Sequence, residues 1–195
     1  VIFVGGGFDY GDAPSPYAST AAQLGPRHFV DDGFALWRQN PSDPNDRPVT
    51  LDNDAKLPDA DEDNGVRLVG ALQPGFNANF EVSIYDEGNR QFYLDAWFDW
   101  NANGIFEVSD SRRFGSAGTG RPLVDVGTNV ISVAVPSNAV LGEIYARFRL
   151  SEQINLGPIG DASSGEVEDI RLVVSNNPFQ NPSNRYDVNN SGIVT

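Results

Sequence analysis

The chain has 195 residues, 27 of them acidic and 13 basic, which gives a formal net charge of −14. So acidic a surface repels nucleic-acid phosphates and anionic membrane surfaces, and we expect neither as a partner. Cysteine is absent, which excludes disulfides, thiolate zinc sites and a cysteine nucleophile. Because no run approaches the ~20 apolar residues of a membrane span, we predict no membrane insertion. The sequence starts without methionine or a signal-peptide pattern, so we expect a piece of a longer protein.

The first eight residues form a short apolar segment with a glycine hinge. Val1-Ile2-Phe3-Val4 is followed by three glycines. We predict that this segment adds as a strand to the sheet edge of a neighbouring copy, which gives head-to-tail filaments. The alternatives are an edge strand of the chain's own sandwich and the end of a preceding domain.

Residues 9–64 are acidic and rich in proline and turn residues, with little periodicity. A structureless segment of this length needs an organiser inside a compact domain, and bound metal ions are one candidate. Near its end, from residue 52 to residue 63, carboxylates are so dense that they repel each other unless they are solvated or bind a cation. A solvated acidic loop is the alternative there. The predicted calcium ligands of this segment are Asp9, Asp12, Asp59, Asp61 and Asp63.

From Gly65 onward, short alternating runs are separated by turn residues, and no convincing amphipathic helix appears. The predicted strands cover residues 66–69, 79–85, 91–99, 129–135, 143–151 and 167–174. The side chains predicted to face inward are Phe80, Val82, Ile84, Phe92, Leu94, Ala96, Phe98, Ile144, Ala146, Phe148 and Leu150. This spacing of strands and turns predicts an all-β fold, an antiparallel β-sandwich of jelly-roll or immunoglobulin-like type.

The segment from Asp99 to Asp110 has the spacing of a calcium loop. Oxygen-bearing side chains stand at loop positions 1, 3, 5, 9 and 12, and Gly104 stands at position 6, where the loop turns sharply. Position 12 is aspartate where an EF-hand has glutamate, and a strand precedes the loop where an EF-hand has a helix. An Asn/Gly-rich hairpin loop is the alternative. The predicted calcium ligands are Asp99, Asn101, Asn103, the carbonyl of Ile105, Glu107 and Asp110.

The motif Gly165-Glu166-Val167-Glu168-Asp169, which contains three acidic residues, leads into the last predicted strand. Its glutamates share one face and its aspartate lies on the other, while Arg147 and Arg149 share one face of a neighbouring predicted strand. Cross-strand pairing of arginine with carboxylate explains this pattern structurally. A glycosidase-like carboxylate pair is the alternative. Since His28 is the only histidine and no G-x-S-x-G motif occurs, we predict that the chain is not an enzyme.

Aromatic residues offer a second function of another class. Trp37, Trp100 and Tyr145 would stack on sugar rings if they shared one exposed plane, whereas Trp97 is expected in the core. The alternative function is therefore a carbohydrate-binding module of a secreted multidomain enzyme or scaffold, with glycans as partners.

After Ser175 the chain becomes polar and resembles a linker. Its end repeats the calcium-loop spacing at positions 1, 3, 5 and 6, but stops before position 12 is reached. A flexible polar tail is the alternative. The predicted ligands here are Asp187, Asn189 and Ser191, followed by Gly192.

Several motifs occur in a defined order along the chain. They are Asp9–Pro14, Gly25–His28, Asp61–Val66, Ala96–Asn101 with Gly104, Tyr145–Leu150 and Gly165–Asp169. This series resembles the GEVED domain over about residues 9–175, with Asn64, Asn101 and Asn103 where that family commonly has aspartate. The tail, with Asn181-Pro182 and Tyr186–Asn189, resembles the start of a type I dockerin repeat. With only part of one repeat present, cohesin binding is not carried over.

The resemblance implies an extracellular, non-catalytic module of bacterial secreted and surface proteins. We therefore predict three parts: an apolar strand and hinge at 1–8, a sandwich at 9–175, and a linker with a partial calcium loop at 176–195. The predicted function is a calcium-stabilised structural or adhesive module at the bacterial cell surface. Its expected partners are other copies of itself or other surface proteins.

Overall fold

The computed structural model describes residues 8–29, 33–37, 65–88, 90, 92–107, 111–114 and 124–177, with the backbone alone for 111–114. Within these ranges the chain forms eleven strands and one 3-10 helix, Ala21–Gln23. The strands are β1 (Phe8–Tyr10), β2 (Pro26–Phe29), β3 (Phe34–Leu36), β4 (Val66–Val69), β5 (Asn77–Asp86), β6 (Tyr93–Phe98), β7 (Ser111–Phe114), β8 (Gly127–Ala134), β9 (Gly142–Ser151), β10 (Gly160–Ala162) and β11 (Glu166–Val174). No helix in the described part of the chain is long and apolar enough to cross a membrane.

Two antiparallel sheets form the sandwich. The front sheet has the strand order β11-β9-β6-β7, and the back sheet is built around β5, with β8 along one edge and β3 and β4 along the other. Alternate residues of the long strands point between the sheets, as the two-residue period of a strand requires. The predicted inward-facing side chains all belong to the buried core between the sheets. The prediction of an all-β sandwich is therefore confirmed.

A third, smaller sheet, here called the outer sheet, has the strand order β1-β2-β10. β1 pairs antiparallel with β2, and β10 pairs parallel with β2. The outer sheet and the loop after β1 cover the face of the front sheet that points away from the sandwich core. A small apolar cluster of Ala13, Tyr17, Trp97 and Phe106 forms part of this contact. The expected core position of Trp97 is confirmed, since its side chain is 1 % exposed.

The N-terminal segment is more regular than its sequence indicates. Residues 9–64 are predicted to lack regular strands, with at most one helical turn at residues 18–23, where the 3-10 helix lies. The described part of this segment also contains most of β1 and all of β2 and β3. The prediction is wrong there because strands of three or four residues are too short to show a period-two pattern. Their position depends instead on side chains that lie more than a hundred residues away along the chain.

Candidate functional site

The acidic motif at the start of β11 lies between the sandwich core and the outer sheet. Gly165 immediately precedes the strand with φ of 109°, and a Cβ on it would lie 1.9 Å from the carbonyl oxygen of Leu150. No side chain fits there, so the motif begins with glycine for a steric reason. In the β9–β11 ladder, Asp169 stands opposite Arg147.

Arg147 and Asp169 form a buried, bidentate ion pair. Arg147 Nε donates to Asp169 Oδ1, and Nη2 donates to Oδ2, both at 2.7 Å. Neither side chain is more than 1 % exposed. Further Arg147 donors bind Ser19 Oγ and the carbonyl oxygens of Ala18 and Pro158. This geometry confirms the predicted cross-strand pairing of arginine with carboxylate, and it satisfies a charge that would otherwise be costly to bury.

Asp169 also binds the N-terminal segment directly. Its Oδ2 accepts a hydrogen bond from the backbone N–H of Ala13 at 2.8 Å. Asp9 makes the reciprocal contact, since its Oδ2 accepts from the N–H of Val167 at 2.5 Å. These two hydrogen bonds fix residues 9–13 to the first half of β11. Gly11 lies so close to the ion pair that a Cβ on it would be 2.5 Å from Arg147 Nη2.

Arg149 forms a second buried centre with His28. Arg149 Nε donates to His28 Nε2 at 2.8 Å, so this ring nitrogen is the acceptor and Nδ1 carries the proton. Nδ1–H donates to the carbonyl of Ser164 at 2.9 Å. Burial, and then the neighbouring Arg149, hold the pKa of His28 well below its usual value. Burial, and then the charge of Arg147, lower the pKa of Arg149 to about 10.

The two glutamates of the motif point to the opposite face of β11 and bind the edge of the back sheet. Glu166 accepts a hydrogen bond from the backbone N–H of Leu36 in β3. Glu168 Oε1 accepts from the N–H of Val66 in β4 at 3.0 Å. Both side chains are buried. The motif therefore connects β11 to β3 and β4 on one face, and to the N-terminal segment on the other.

The predicted calcium loop begins with a buried, heavily hydrogen-bonded Asp99. Its Oδ2 accepts from the Tyr17 hydroxyl at 2.5 Å and from the N–H of Gly104 at 2.8 Å, and its Oδ1 accepts from the N–H of Asn103 at 3.0 Å. Burial, and then the bond to Asp99, raise the pKa of Tyr17 far above its usual value. Gly104 has φ of 79°, as the predicted sharp turn requires. The described part of this loop is thus held to the N-terminal segment by Tyr17.

The other ligands predicted in this loop form a chain of turns. Asn101 Oδ1 accepts from the N–H of Asn103 at 3.0 Å, the N–H that Asp99 Oδ1 also accepts. Asn103 Oδ1 accepts from the N–H of Ile105 at 2.9 Å, and Asn103 Nδ2 donates to Glu107 at 3.4 Å. These local bonds are typical of asparagine and aspartate in turns. They bring the first two predicted ligand oxygens to a common point.

The structure separates the predicted ligands into groups. Asp9 lies in β1 and binds β11, and Asp12 is buried in the segment between β1 and the 3-10 helix. The loop contains Asp99, Asn101, Asn103, Ile105 and Glu107. Within the described residues, no group of three or more His, Asp or Glu side chains is arranged to hold a metal ion. The remaining predicted ligands lie outside the described residues: Asp59, Asp61, Asp63, Asp110, Asp187, Asn189 and Ser191.

The aromatic residues proposed for sugar stacking do not form one exposed plane. Trp100 is 6 % exposed and stacks on Phe98 with ring centroids 4.8 Å apart. Trp37 contacts Tyr85 edge-on in the back sheet. Tyr145 contacts Tyr17 beside the front sheet. The stacking role of Trp100 is therefore wrong, since its ring is part of the core.

Sequence reasoning missed three members of this site: His28, Ser19 and Tyr17. His28 and its neighbours appear in the motif series, which gave a position but no role. Its burial follows from β2, where Pro26 and His28 point inward while Arg27 and Phe29 point outward. Ser19 and Tyr17 lie in a loop without periodicity, so no sequence signal assigned them to a buried network.

Comparison with known protein families gives a match for part of the chain. No curated protein matches the chain. The match that is found begins at β6 and ends within β11, and it includes both buried arginines and the acidic motif. It does not extend to the tail, so the dockerin-like resemblance stays a prediction. Residues 93–172 match the family model of the GEVED domain, a module typical of secreted and surface proteins.

Proposed function

We propose that this chain is a non-catalytic, calcium-stabilised structural or adhesive module at the bacterial cell surface, which assembles head to tail through strand addition by residues 1–4. The observation that carries the non-catalytic role is the use of the acids in the motif. Asp169 binds Arg147, while Glu166 and Glu168 bind backbone N–H groups of β3 and β4. Carboxylates engaged in this way hold segments together, whereas a glycosidase pair must face a bound substrate.

Calcium is the part of the proposal with the sharpest test. Asp99 Oδ1 and Asn101 Oδ1 each accept one hydrogen bond from the same N–H, and an oxygen of either kind keeps capacity for a further partner. Hard cations prefer carboxylate and amide oxygens, so these two oxygens have the chemistry that calcium prefers. When bound, the ion would supply positive charge beside the buried Asp99 and hold the loop closed. It would also offset part of the self-repulsion of a chain with net charge −14.

The test is thermal unfolding of the whole chain with calcium and with a chelator. An ion that binds only the folded state at about 100 times its Kd adds about 2.7 kcal/mol, or roughly 5–10 °C for a chain of this size. Asn101→Ala should remove most of this calcium-dependent shift. Asn138→Ala is the matched control, because Asn138 is also exposed in a turn but is not a predicted ligand. Measurements in sodium and magnesium at equal ionic strength separate a site from general screening.

Two results would contradict the calcium part of the proposal. One is a melting temperature that does not change on chelation. The other is an equal calcium-dependent shift in Asn101→Ala and Asn138→Ala, which would assign the effect to screening of the acidic surface. Neither result bears on the buried network or on the non-catalytic role, since these depend on protein contacts alone.

The carbohydrate-binding alternative has less support. Beyond the burial of Trp100, the exposed rings of the outer sheet are tilted against each other. Phe8 and Phe29 meet at 77°, and Phe8 and Tyr10 at 58°. A flat sugar surface stacks on rings that share a plane, and these do not. Binding of the chain to a soluble glycan, lost on Trp37→Ala, would restore this alternative.

A further inference from the structure

Within the described part of the chain, the back sheet ends in an open strand edge at β8. One edge of β8 pairs with β5 along its whole length, from Gly127 opposite Ile84 to Ala134 opposite Asn77. Among the residues that the structure describes, none pairs with the other edge. Ile131 and Val133 face the core, and Val130 faces outward with 67 % of its side chain exposed. The free N–H and C=O groups of such an edge are a template for another strand.

The protection expected of an open edge is missing from β8. Natural proteins blunt exposed edges with charged side chains, proline or bulges. From Val126 to Gly142 the sequence has no acidic or basic residue, which is the longest uncharged run in a chain with 21 % charged residues. β8 itself contains no proline. Apolar side chains are exposed within the same uncharged run, with Val126 at 56 % and Leu141 at 53 %.

Charge favours one occupant for this edge. Two copies of a chain with net charge −14 repel each other, except where they meet through uncharged surfaces. The side chains of residues 1–8 carry no charge, and Val1-Ile2-Phe3-Val4 has the β-branched and aromatic composition of a strand. The glycines at 5–7 lack a Cβ and restrict the backbone less than other residues do. The segment is therefore suited to pair with the uncharged open edge of β8.

We propose that the open edge of β8 accepts residues 1–4 of a second copy as an additional strand of the back sheet. This inference rests on the proposed head-to-tail assembly and names the surface that it uses. Alternate side chains of the added strand would extend the core beside Ile131 and Val133, and the others would lie beside Val130 on the outer face. The backbone hydrogen bonds supply affinity, and the uncharged surroundings avoid repulsion between copies.

Cysteine cross-linking tests this contact, because the native chain has no cysteine. One population carries Ile2→Cys or Phe3→Cys. Successive residues of a strand point to opposite faces, so one of these two cysteines would share a face of the sheet with residue 132. The second population carries Ser132→Cys in β8 or the control Val69→Cys in β4. These acceptor positions are matched, since Val69 and Ser132 both pair with Asn79 from opposite sides of β5. The two populations bear tags of different mass, so only contacts between copies give a mixed dimer.

We expect a severalfold higher yield of mixed disulfide dimer with Ser132→Cys than with Val69→Cys, and oligomers of the unmodified chain in mass photometry. Oligomers with equal yields, or with a higher yield at Val69→Cys, would overturn the assignment to β8 but leave head-to-tail assembly standing. A disulfide within one copy of a Phe3→Cys/Ser132→Cys double variant, with no mixed dimer, would overturn exchange between copies. Monomers alone at all concentrations would overturn the proposed assembly itself.

Discussion

Removal of the Asp169 carboxylate tests whether the acidic motif holds the fold together. In Asp169→Ala, Arg147 stays buried but loses both bonds of its bidentate pair, and the N–H of Ala13 loses its acceptor. Breaking a buried pair by removing one partner costs about 3–5 kcal/mol, because the other charge is left uncompensated. For a chain of this size, this loss lowers the melting temperature by roughly 10 °C.

The assay is urea unfolding near neutral pH, followed by the intrinsic fluorescence of the three tryptophans. One of them, Trp97, stands opposite Arg147 in the β6–β9 ladder. Asp161→Ala is the matched control, because Asp161 pairs with Arg27 at the surface, where its side chain is 65 % exposed. We expect little change in this control, since exposed pairs are screened by solvent. Equal losses in the two variants would refute a special role for the buried pair.

A double variant separates the pair from simple loss of packing. Arg147→Met with Asp169→Leu replaces both charges by apolar groups of similar length, which is often neutral for a buried ion pair. It should therefore be more stable than Asp169→Ala alone. The double variant could instead lose as much stability as Arg147→Met and Asp169→Leu lose in sum when each is made alone. The cost would then lie in the other hydrogen bonds of Arg147 and not in its uncompensated charge.

Four further predictions follow from the same contacts. Gly165→Ala should lower the free energy of unfolding by several kcal/mol, because its Cβ meets a β9 carbonyl at 1.9 Å. Gly160→Ala is the control, since it has open space around it, and it should lower the free energy of unfolding less in the same urea titration. Tyr17→Phe should lose about 1.5–3 kcal/mol in thermal unfolding, since Asp99 loses a charge-assisted bond, and a variant as stable as the parent would contradict this role. As the pH is lowered from about 7 to about 5.5, the free energy of unfolding should fall by up to about 1.4 kcal/mol per pH unit. The reason is that histidine in the unfolded chain binds a proton below about pH 6.5, whereas folded His28, with its lowered pKa, does not. His28→Gln should reduce this slope. A fragment of residues 93–172 should give no cooperative unfolding transition by circular dichroism, unlike the whole chain, because it lacks β5 and the outer-sheet strands β1 and β2.

The sandwich could be predicted from the sequence because its strands are long. β5 and β9 have ten residues each, so their buried and exposed positions alternate often enough to be recognised. The same alternation predicts Arg147 and Arg149 on the face away from the core, and Asp169 on the face of β11 opposite to the two glutamates. The predicted cross-strand pair then followed from two independent patterns that meet in one ladder.

The outer sheet could not be predicted, for a reason that lies in its size. β1 and β10 have three residues each, and β2 has four. Their positions depend on partners far along the chain, such as Asp9 with Val167 and His28 with Arg149. Metal ions were one candidate organiser of the segment from 9 to 64. In its described part, buried side chains of β9 and β11 hold this segment in place through hydrogen bonds.

These contacts explain why three acids occur together at the start of one strand. A strand presents alternate side chains to opposite faces, so the two glutamates of the motif reach the back sheet while Asp169 reaches the N-terminal segment. Each carboxylate can be buried only when its own partner segment is in place, because a buried charge without partners is strongly unfavourable. The folding of β11 is therefore coupled to segments before residue 93, where the match to the GEVED domain begins. The physical unit that the motif stabilises is larger than the matched segment, and it extends to the first strand of the chain's described part.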